Sequence, residues 1–255
     1  MAAKKGSLLF LVLLFCDVWC SIDGNPYHEI VKYMEKYTLP ELPYDYNELE
    51  PHIDEATLRV HHLGHHAAYT KKLNAALKEW RESGKEKDLA SKSIVEILRN
   101  NEQIPDKWRT DVINNGGGFV NHALYWATMS PNPKSEPRTP TGKIGDLIDK
   151  SHGNFSMFKQ WFDEQVNSMF GSGYTWLCQD VTSGFLTILN MGNQESPVAY
   201  RLNPVLVIDL WEHAFYLKHQ NKRPGYVHSW WHLVDWERVN ELLEWWQNQN
   251  IHDEL

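Results

Sequence analysis

The feature that most constrains the fold is an apolar segment, residues 204–208, which runs directly into a carboxylate and an imidazole four residues apart, Asp209 and His213. The segment reads as a buried strand, so the two polar side chains emerge where that strand ends. Asp and His together can bind a divalent or trivalent metal ion, and the surrounding aromatic residues would lower the local dielectric. The alternative is a surface turn with a capping Asp and a solvated His.

Four histidines lie within six residues of one predicted helix. His61, His65 and Tyr69 share one helix face, whereas His62 and His66 form a second line about 100° away. Two histidines at i and i+4 can chelate one ion. A solvated or interface face has the same spacing, so the pattern leaves open whether a metal binds and which line faces inward.

A second predicted helix, residues 105–129, contains three consecutive glycines at 116–118. Each glycine costs a helix about 1 kcal/mol relative to alanine, so the close approach of another backbone or the wall of a site is expected there. His122 and Trp126 follow on a shared face. A lone His beside a Trp is more often a core histidine than a ligand, so His122 has no assignment from spacing alone.

The predicted elements form a helical hairpin followed by an α+β domain. Three apolar segments with turn signals between them predict strands, and the short link between the first two favours antiparallel pairing. The predicted strands are 174–179, 185–191 and 205–209. The predicted helices are 27–37, 51–80, 91–100, 105–129, 144–150, 155–170, 226–236 and 237–249.

The clearest linker is the segment 131–140, which contains four prolines. It separates a predicted N-terminal domain, 39–130, from a predicted C-terminal domain, 141–251. A spacer, 21–38, precedes the first domain. That domain opens with an extended arm, 39–46, whose prolines and aromatic residues predict packing over a core.

Residues 1–20 predict a signal peptide, because Lys4 and Lys5 precede a short apolar run, and Val18 and Cys20 fit a cleavage site. The run is too short to span a bilayer, so no membrane anchor is expected after cleavage. A mitochondrial transit peptide is the alternative, but it would carry arginines and a polar face. This segment has neither.

The last four residues, 252–255, read HDEL, the signal that returns soluble proteins to the endoplasmic reticulum. Both ends therefore predict a protein of the endoplasmic reticulum lumen or the secretory pathway rather than of the mitochondrial matrix. In that compartment the sequon at Asn154 is a predicted glycosylation site.

Charge and cysteine content narrow the function further. A net charge of -8 argues against a nucleic-acid binder, because neutralising phosphates needs clustered Lys and Arg. After signal cleavage, Cys178 is the only thiol, so no intramolecular disulfide can form. Its place in a predicted strand indicates a small buried hydrophobic residue.

Together these segments resemble the manganese/iron superoxide dismutase family over about residues 39–247. The motifs that carry the resemblance are LPELPYDYNELEPHI, VHHLGHHAAYTKKLN, NNGGGFVNHALYW, GSGYTWL, GNQE, and IDLWEHAFYL followed by NKRPGY. The resemblance implies an α+β fold: an N-terminal helical hairpin, then a C-terminal domain with a three-stranded antiparallel sheet and flanking helices.

The resemblance also implies a mononuclear metal site. Its ligands would be His61, His122, Asp209 and His213. Three imidazoles and a carboxylate suit a manganese ion, or iron, and differ from structural zinc. Gln194 matches the outer-sphere glutamine of the family, and its place after the second strand is typical of the manganese type.

The implied reaction converts superoxide to dioxygen and hydrogen peroxide while manganese alternates between Mn(III) and Mn(II). Protons would pass through the residues Gln194, Tyr69 and His65. The dry aromatic wall of the site would be formed by Trp126, Trp176 and Trp211.

Glu212 and Tyr216 match residues that reach across a subunit interface, so a homodimer or homotetramer is implied. Arg223 matches an arginine that attracts the anionic substrate.

The chain departs from the family pattern at three positions: Tyr174 stands where Trp is frequent, Phe215 where Tyr is common, and Gly64 where a funnel Lys is frequent. The secretory start and HDEL end are also unusual for manganese members. Two alternatives therefore stay open, an iron-loaded enzyme of the same family and a non-enzymatic metal-binding protein of the secretory pathway.

Overall fold

The structure is a computed structural model that describes residues 25–253, with side chains described to residue 249. The predicted signal peptide, 1–20, lies outside the described residues, and so do the side chains of the tetrapeptide 252–255. Helices dominate up to residue 127, and a three-stranded sheet with flanking helices follows. The predicted α+β fold is confirmed.

The first half is a helical hairpin whose first arm is one continuous helix with a π-helical segment inside it. The helical elements of this half are α1 (Glu55–Arg59), the π-helical segment (Val60–His66), α2 (Ala67–Ser83), α3 (Lys87–Ala90), α4 (Ile94–Arg99), a 3-10 helix (Asn101–Gln103) and α5 (Asp106–Ala127). The first arm begins at Glu55 and not at residue 51, because the Asp54 side chain accepts a hydrogen bond from the Thr57 N–H and caps the helix there. The arm ends at Gly84, which has a left-handed φ of 71°.

The predicted helix over residues 27–37 is wrong, because this segment forms turns. Tertiary hydrogen bonds take the place of helical ones. The backbone of Tyr37 bonds the Asn74 side chain through both its N–H and its carbonyl, and the Tyr37 hydroxyl accepts from the Ile94 N–H. Contacts with the hairpin therefore override the local helical pattern.

The sheet consists of β1 (Gly173–Asp180), β2 (Leu186–Gly192) and β3 (Leu202–Asp209). Its order is β2-β1-β3 and both pairings are antiparallel, as predicted. A register shift lies between Leu177 and Cys178 in β1, where Cys178 is opposite Pro204, and a proline cannot donate a ladder hydrogen bond. Cys178 is a free, fully buried thiol, as expected.

Flanking helices bury the sheet and fix the end of β3. They are α6 (Gly142–His152), α7 (Phe155–Ser168), α8 (Tyr216–His219), α9 (Arg223–Leu233) and α10 (Trp236–Asp253). The Trp246 indole of α10 donates to the Pro204 carbonyl of β3, and β3 is buried along almost its whole length. Within the described residues, no helix combines the length and apolar character needed to cross a membrane.

Candidate metal centre

Four side chains from four separate elements meet at the end of β3. Asp209 is the last residue of that strand, and His213 lies in the 3-10 helix Glu212–Ala214. His61 comes from the π-helical segment and His122 from α5. Their ligand atoms, one per residue, all lie within 4.8 Å of one another. No other group of three or more His, Cys, Asp or Glu residues in the described part of the chain has this geometry.

The π-helical segment changes which histidines face inward. Hydrogen bonds in a π-helix run from i to i+5, so its turn is wider than that of an α-helix. His61, His62 and His66 are buried, and His65 is half-buried. Both predicted lines of histidines therefore face the protein interior, whereas the sequence pattern left the choice between them open.

The imidazole nitrogens of the four-residue group converge on one carboxylate oxygen. The Asp209 Oδ2 atom is 3.1 Å from Nε2 of His61, 3.3 Å from Nε2 of His213 and 3.9 Å from Nε2 of His122. The His122 Nδ1 atom lies 2.6 Å from the Gly118 carbonyl, so it carries the proton and leaves a lone pair on Nε2. Neither His61 nor His122 has a hydrogen-bond partner for Nε2 among the described residues.

The electrostatics of this group favour neutral rings at His61 and His122 beside an ionised carboxylate. Burial, together with the neighbouring His213, lowers the pKa of His61 to about 4. Burial and the adjacent imidazoles hold the pKa of His122 well below its ordinary value. Burial alone would raise the pKa of Asp209, but His213 and His61 keep it below the usual range of a carboxyl. Buried, unpartnered lone pairs facing a carboxylate are a donor set that fits a manganese or iron ion.

The second line of histidines has a different role. His62 bonds the Tyr46 hydroxyl through Nδ1 at 2.7 Å and the Pro40 carbonyl through Nε2 at 2.8 Å. It thereby ties the predicted extended arm to the first helix. His66 accepts from the Trp126 indole at Nδ1, and its Nε2 is 3.1 Å from the Phe119 carbonyl. Both rings have protein partners on both nitrogens and are not free to bind a metal.

Two of the three consecutive glycines, Gly117 and Gly118, lie against Gln194 and Tyr69, and Gly116 packs against Ile94. A Cβ atom at Gly117 would collide with the backbone carbonyl of Gln194. A Cβ at Gly118 would lie 2.6 Å from the ring of Tyr69. Gly117 and Gly118 therefore allow α5 to approach Gln194 and Tyr69 closely.

Comparison with known proteins agrees with this geometry. Residues 36–130 match the family domain described as "Iron/manganese superoxide dismutases, alpha-hairpin domain", and residues 140–242 match the C-terminal domain of the same family. A Bacillus anthracis protein named "Superoxide dismutase [Mn] 2" is 45% identical over 208 residues, which cover 82% of this chain and 95% of that protein. A Bacillus cereus protein of the same name is 44% identical over the same shares.

The chain belongs to the iron/manganese superoxide dismutase family. The two matched regions together span most of the chain, and they contain all four residues of the candidate metal site.

Within this superoxide dismutase fold, Gln194 is held between two phenols. Its amide nitrogen donates to the Tyr69 hydroxyl at 3.0 Å, and its amide oxygen accepts from the Tyr174 hydroxyl at 3.0 Å. Asn121 donates to the carbonyls of Gln194 and Glu195 and fixes the turn that carries them. Gln194 and Tyr69 are thus brought together as expected.

His65, the third residue of the predicted relay, lies elsewhere in the site. Its ring stacks on that of His213 with centroids 4.0 Å apart. In the part of the chain that the structure describes, no hydrogen bond joins His65 to Tyr69. One hydrogen bond therefore joins two of the three predicted relay residues, Gln194 and Tyr69, and the third, His65, lies beside the candidate ligand His213.

Two of the three predicted wall tryptophans contact the histidines of the superoxide dismutase site. The Trp126 ring meets His61 edge-on at 4.6 Å, and Trp211 stacks on His213 at 5.5 Å. Trp211 also donates to the Asn193 carbonyl. Trp176 is fully buried and contacts Tyr174 rather than a histidine of the site.

The remaining predicted residues lie at the surface or near it. Glu212 and Tyr216 are exposed in the single chain, beside His213. Arg223 is half-buried, and its guanidinium donates to the carbonyls of Met169 and Gly171. Asn154 is exposed at the start of α7.

Reasoning from the sequence missed two contributors to the site. In the sequence Tyr174 stands out only as a departure from Trp, yet its hydroxyl donates to Gln194 and it lies opposite Asp209 in the sheet. The Tyr125 and Tyr226 hydroxyls bond each other at 2.9 Å beneath the site, and the Tyr125 ring lies 5.6 Å from that of His61. Only the register of β1 against β3 could have indicated Tyr174, and no local signal indicated the tyrosine pair.

Proposed function

We propose that this protein is a superoxide dismutase that converts superoxide to dioxygen and hydrogen peroxide with a bound manganese ion. The ion would be held by the residues His61, His122, Asp209 and His213. The observation that carries this proposal is the convergence of three imidazole Nε2 atoms on one buried carboxylate, two of them without a hydrogen-bond partner. Such lone pairs are costly to bury unless an ion occupies the space between them.

A bound manganese ion supplies the one-electron chemistry that oxidises one superoxide and reduces the next. The protein residues supply the rest. Forming hydrogen peroxide consumes two protons, and beside the site the Gln194 amide donates a hydrogen bond to the Tyr69 hydroxyl, which makes this pair the proposed proton path. Burial raises the pKa of Tyr69, so the phenol is protonated at neutral pH. The rings of Trp126 and Trp211 limit the access of water to the ligands.

The place of Gln194 in the chain favours manganese over iron, because a glutamine after the second strand is typical of the manganese type. This residue comes from the turn after β2 and reaches the site over the glycines of α5. Because the donor set suits both metals, an iron-loaded enzyme is the second candidate.

The experiment is a direct assay of superoxide decay on purified protein with the metal content per chain measured on the same sample. Activity proportional to manganese supports the proposal, and activity proportional to iron supports the second candidate. Bound metal without activity would indicate a non-enzymatic metal-binding protein. Absence of both metal and activity would overturn the assignment of the site.

The proposal includes a homodimer or a homotetramer. Glu212 and Tyr216 are exposed next to His213, and Tyr216 retains 43% of its accessible surface in the single chain. A second subunit packed here would cover the open side of the site and the half-buried ring of His65. Arg223 lies near the surface, where its positive charge would attract the anionic substrate to an otherwise acidic protein.

The proposal places the protein in the lumen of the endoplasmic reticulum, with a glycan on Asn154. The signal-peptide pattern, the HDEL end and the exposed sequon support this location. Cell fractionation, together with loss of mass after enzymatic removal of N-glycans, tests it. Recovery of the protein from the cytosol or the mitochondrial matrix would contradict it.

A further inference from the structure

One surface of α7 exposes apolar side chains in line with the sequon. Asn154 immediately precedes the helix, and Met157 and Trp161 follow at i+3 and i+7, so all three lie along one face. Met157 is 42% exposed and Trp161 is 40% exposed. Two large apolar side chains are therefore exposed to solvent in line with a predicted glycosylation site.

The conformation of Asn154 leaves its side-chain amide nitrogen available for attachment of a sugar. Its backbone is extended, and its Oδ1 atom accepts a hydrogen bond from the Met157 N–H at 2.9 Å, which caps the helix. The amide nitrogen, to which a sugar would be attached, bonds none of the described residues. A glycan on this nitrogen therefore leaves the cap intact.

The surroundings of the two apolar side chains form a shallow platform beside Asn154. The Met157 sulfur packs back toward Gly153, where it would lie 3.4 Å from a Cβ atom. Trp161 rests edge-on against the buried ring of His152, with centroids 5.6 Å apart. The remaining surface of Trp161 is open.

We propose that an N-linked glycan on Asn154 packs its first sugar rings on Met157 and Trp161. In the attachment step, the Asn154 amide nitrogen displaces the pyrophosphate leaving group from the anomeric carbon of a lipid-linked oligosaccharide and loses one proton. The apolar faces of the sugar rings then cover the exposed indole and thioether, which removes apolar surface from water. The proposal rests on the proposed passage through the secretory pathway and is independent of the dismutase activity.

The first test asks whether the glycan is attached. The full chain is produced in a secreting eukaryotic cell line, and the mass of the intact protein is measured before and after treatment with an N-glycosidase. Ser156→Ala is the matched control, because it destroys the sequon and retains the capping Asn154. A glycan on the wild type and none on the control is the expected result. An unmodified wild type would overturn the proposal, while superoxide decay measured on the same sample reports separately on the proposed function.

The second test asks whether the glycan touches Trp161. The N-glycosidase leaves Asp at position 154, which is also a good capping residue, so its effect isolates the sugar. We expect removal of the glycan to raise the unfolding equilibrium constant of the wild type by about three- to tenfold, and that of Trp161→Ala by less than about twofold.

Phe170→Ala is the control for this second test. Phe170 is 99% exposed but lies beyond the far end of α7, out of reach of the first sugars. This variant should respond to glycan removal as the wild type does. Equal responses of the wild type and Trp161→Ala would overturn the packing of the glycan on α7.

Discussion

The two lines of histidines on the first helix differ in what their ring nitrogens meet. His62 and His66 bond protein partners through both nitrogens, and these partners come from the extended arm and from α5. His61, only one residue from His62, directs its Nε2 atom to the Asp209 carboxylate at 3.1 Å without forming a hydrogen bond. All three rings are buried. Burial and spacing are therefore shared, and the hydrogen-bond partners separate a structural histidine from a candidate ligand.

The largest expected effect comes from making the same substitution, His to Gln, at two neighbouring positions, His61 and His62. His61→Gln should lose bound metal and lower superoxide turnover by more than about 100-fold, because it removes one of four ligands. His62→Gln should keep metal and activity but lose about 1–3 kcal/mol of stability, because the bonds to Tyr46 and Pro40 are broken. Metal content, superoxide decay and urea unfolding measure the pair. Full metal content in His61→Gln would break the comparison.

The second prediction concerns the stability of the metal-free protein at acidic pH. In the metal-free protein the folded-state pKa of His61 is about 4, below its ordinary value of 6.5. The unfolded chain therefore binds a proton that the folded chain excludes, so stability is fully present above pH 6.5 and is lost as the pH falls toward 4. His61 alone accounts for about 3 kcal/mol of this loss.

Urea unfolding of the metal-free protein across this pH range measures the loss. His66 also has a pKa held well below its ordinary value by burial, so His66→Phe should remove part of the acid sensitivity without removing a ligand. A stability that is constant from pH 7 to pH 4 would show that these rings are not buried in neutral form.

The third prediction concerns the hydrogen bonds of Gln194 beside the candidate metal site. Gln194→Ala should retain the metal and lower turnover by about 10- to 100-fold, because the donor between Tyr69 and Tyr174 is removed. Gln179→Ala is the matched control, because Gln179 is also buried but bonds Gly184 and Gln247 away from the site. Unchanged turnover in Gln194→Ala would remove this residue from the proton path.

The smallest expected effect tests whether the role of His62 is purely structural. Tyr46→Phe deletes only the hydroxyl that lies 2.7 Å from the His62 Nδ1 atom, and we expect a loss of about 1 kcal/mol of stability with unchanged metal content. Tyr33→Phe, at an exposed tyrosine, should be neutral. A change in bound metal for Tyr46→Phe would mean that His62 takes part in the metal site after all.

The strands and the longer helices followed from sequence because their patterns are local. Residues 174–179 and 155–170 were placed within a few positions of the observed β1 and α7, since alternation or helical periodicity and turn residues suffice there. The candidate ligands were brought together only by resemblance, because spacing left His61 and His62 equivalent and made His122 an ordinary core histidine.

What sequence could not predict depends on distant partners. The π-helical segment widens the turn that carries the histidines, and no local residue type marked it. The role of His66 depends on Trp126, 60 positions later in the chain. The turns at residues 27–37 arise because Asn74 and Ile94 bond Tyr37. In the last two cases a long-range hydrogen bond outweighs the local pattern.

The most direct measurement is an anomalous difference map from crystals of the purified protein, recorded on both sides of the manganese absorption edge. We predict one peak per chain, in contact with the Nε2 atoms of the three candidate histidine ligands and with the carboxylate of Asp209. His62 and His66 should keep their bonds to Pro40 and Phe119. A peak bound to His62 or His66, or no peak among the four side chains of fully active protein, would contradict the account.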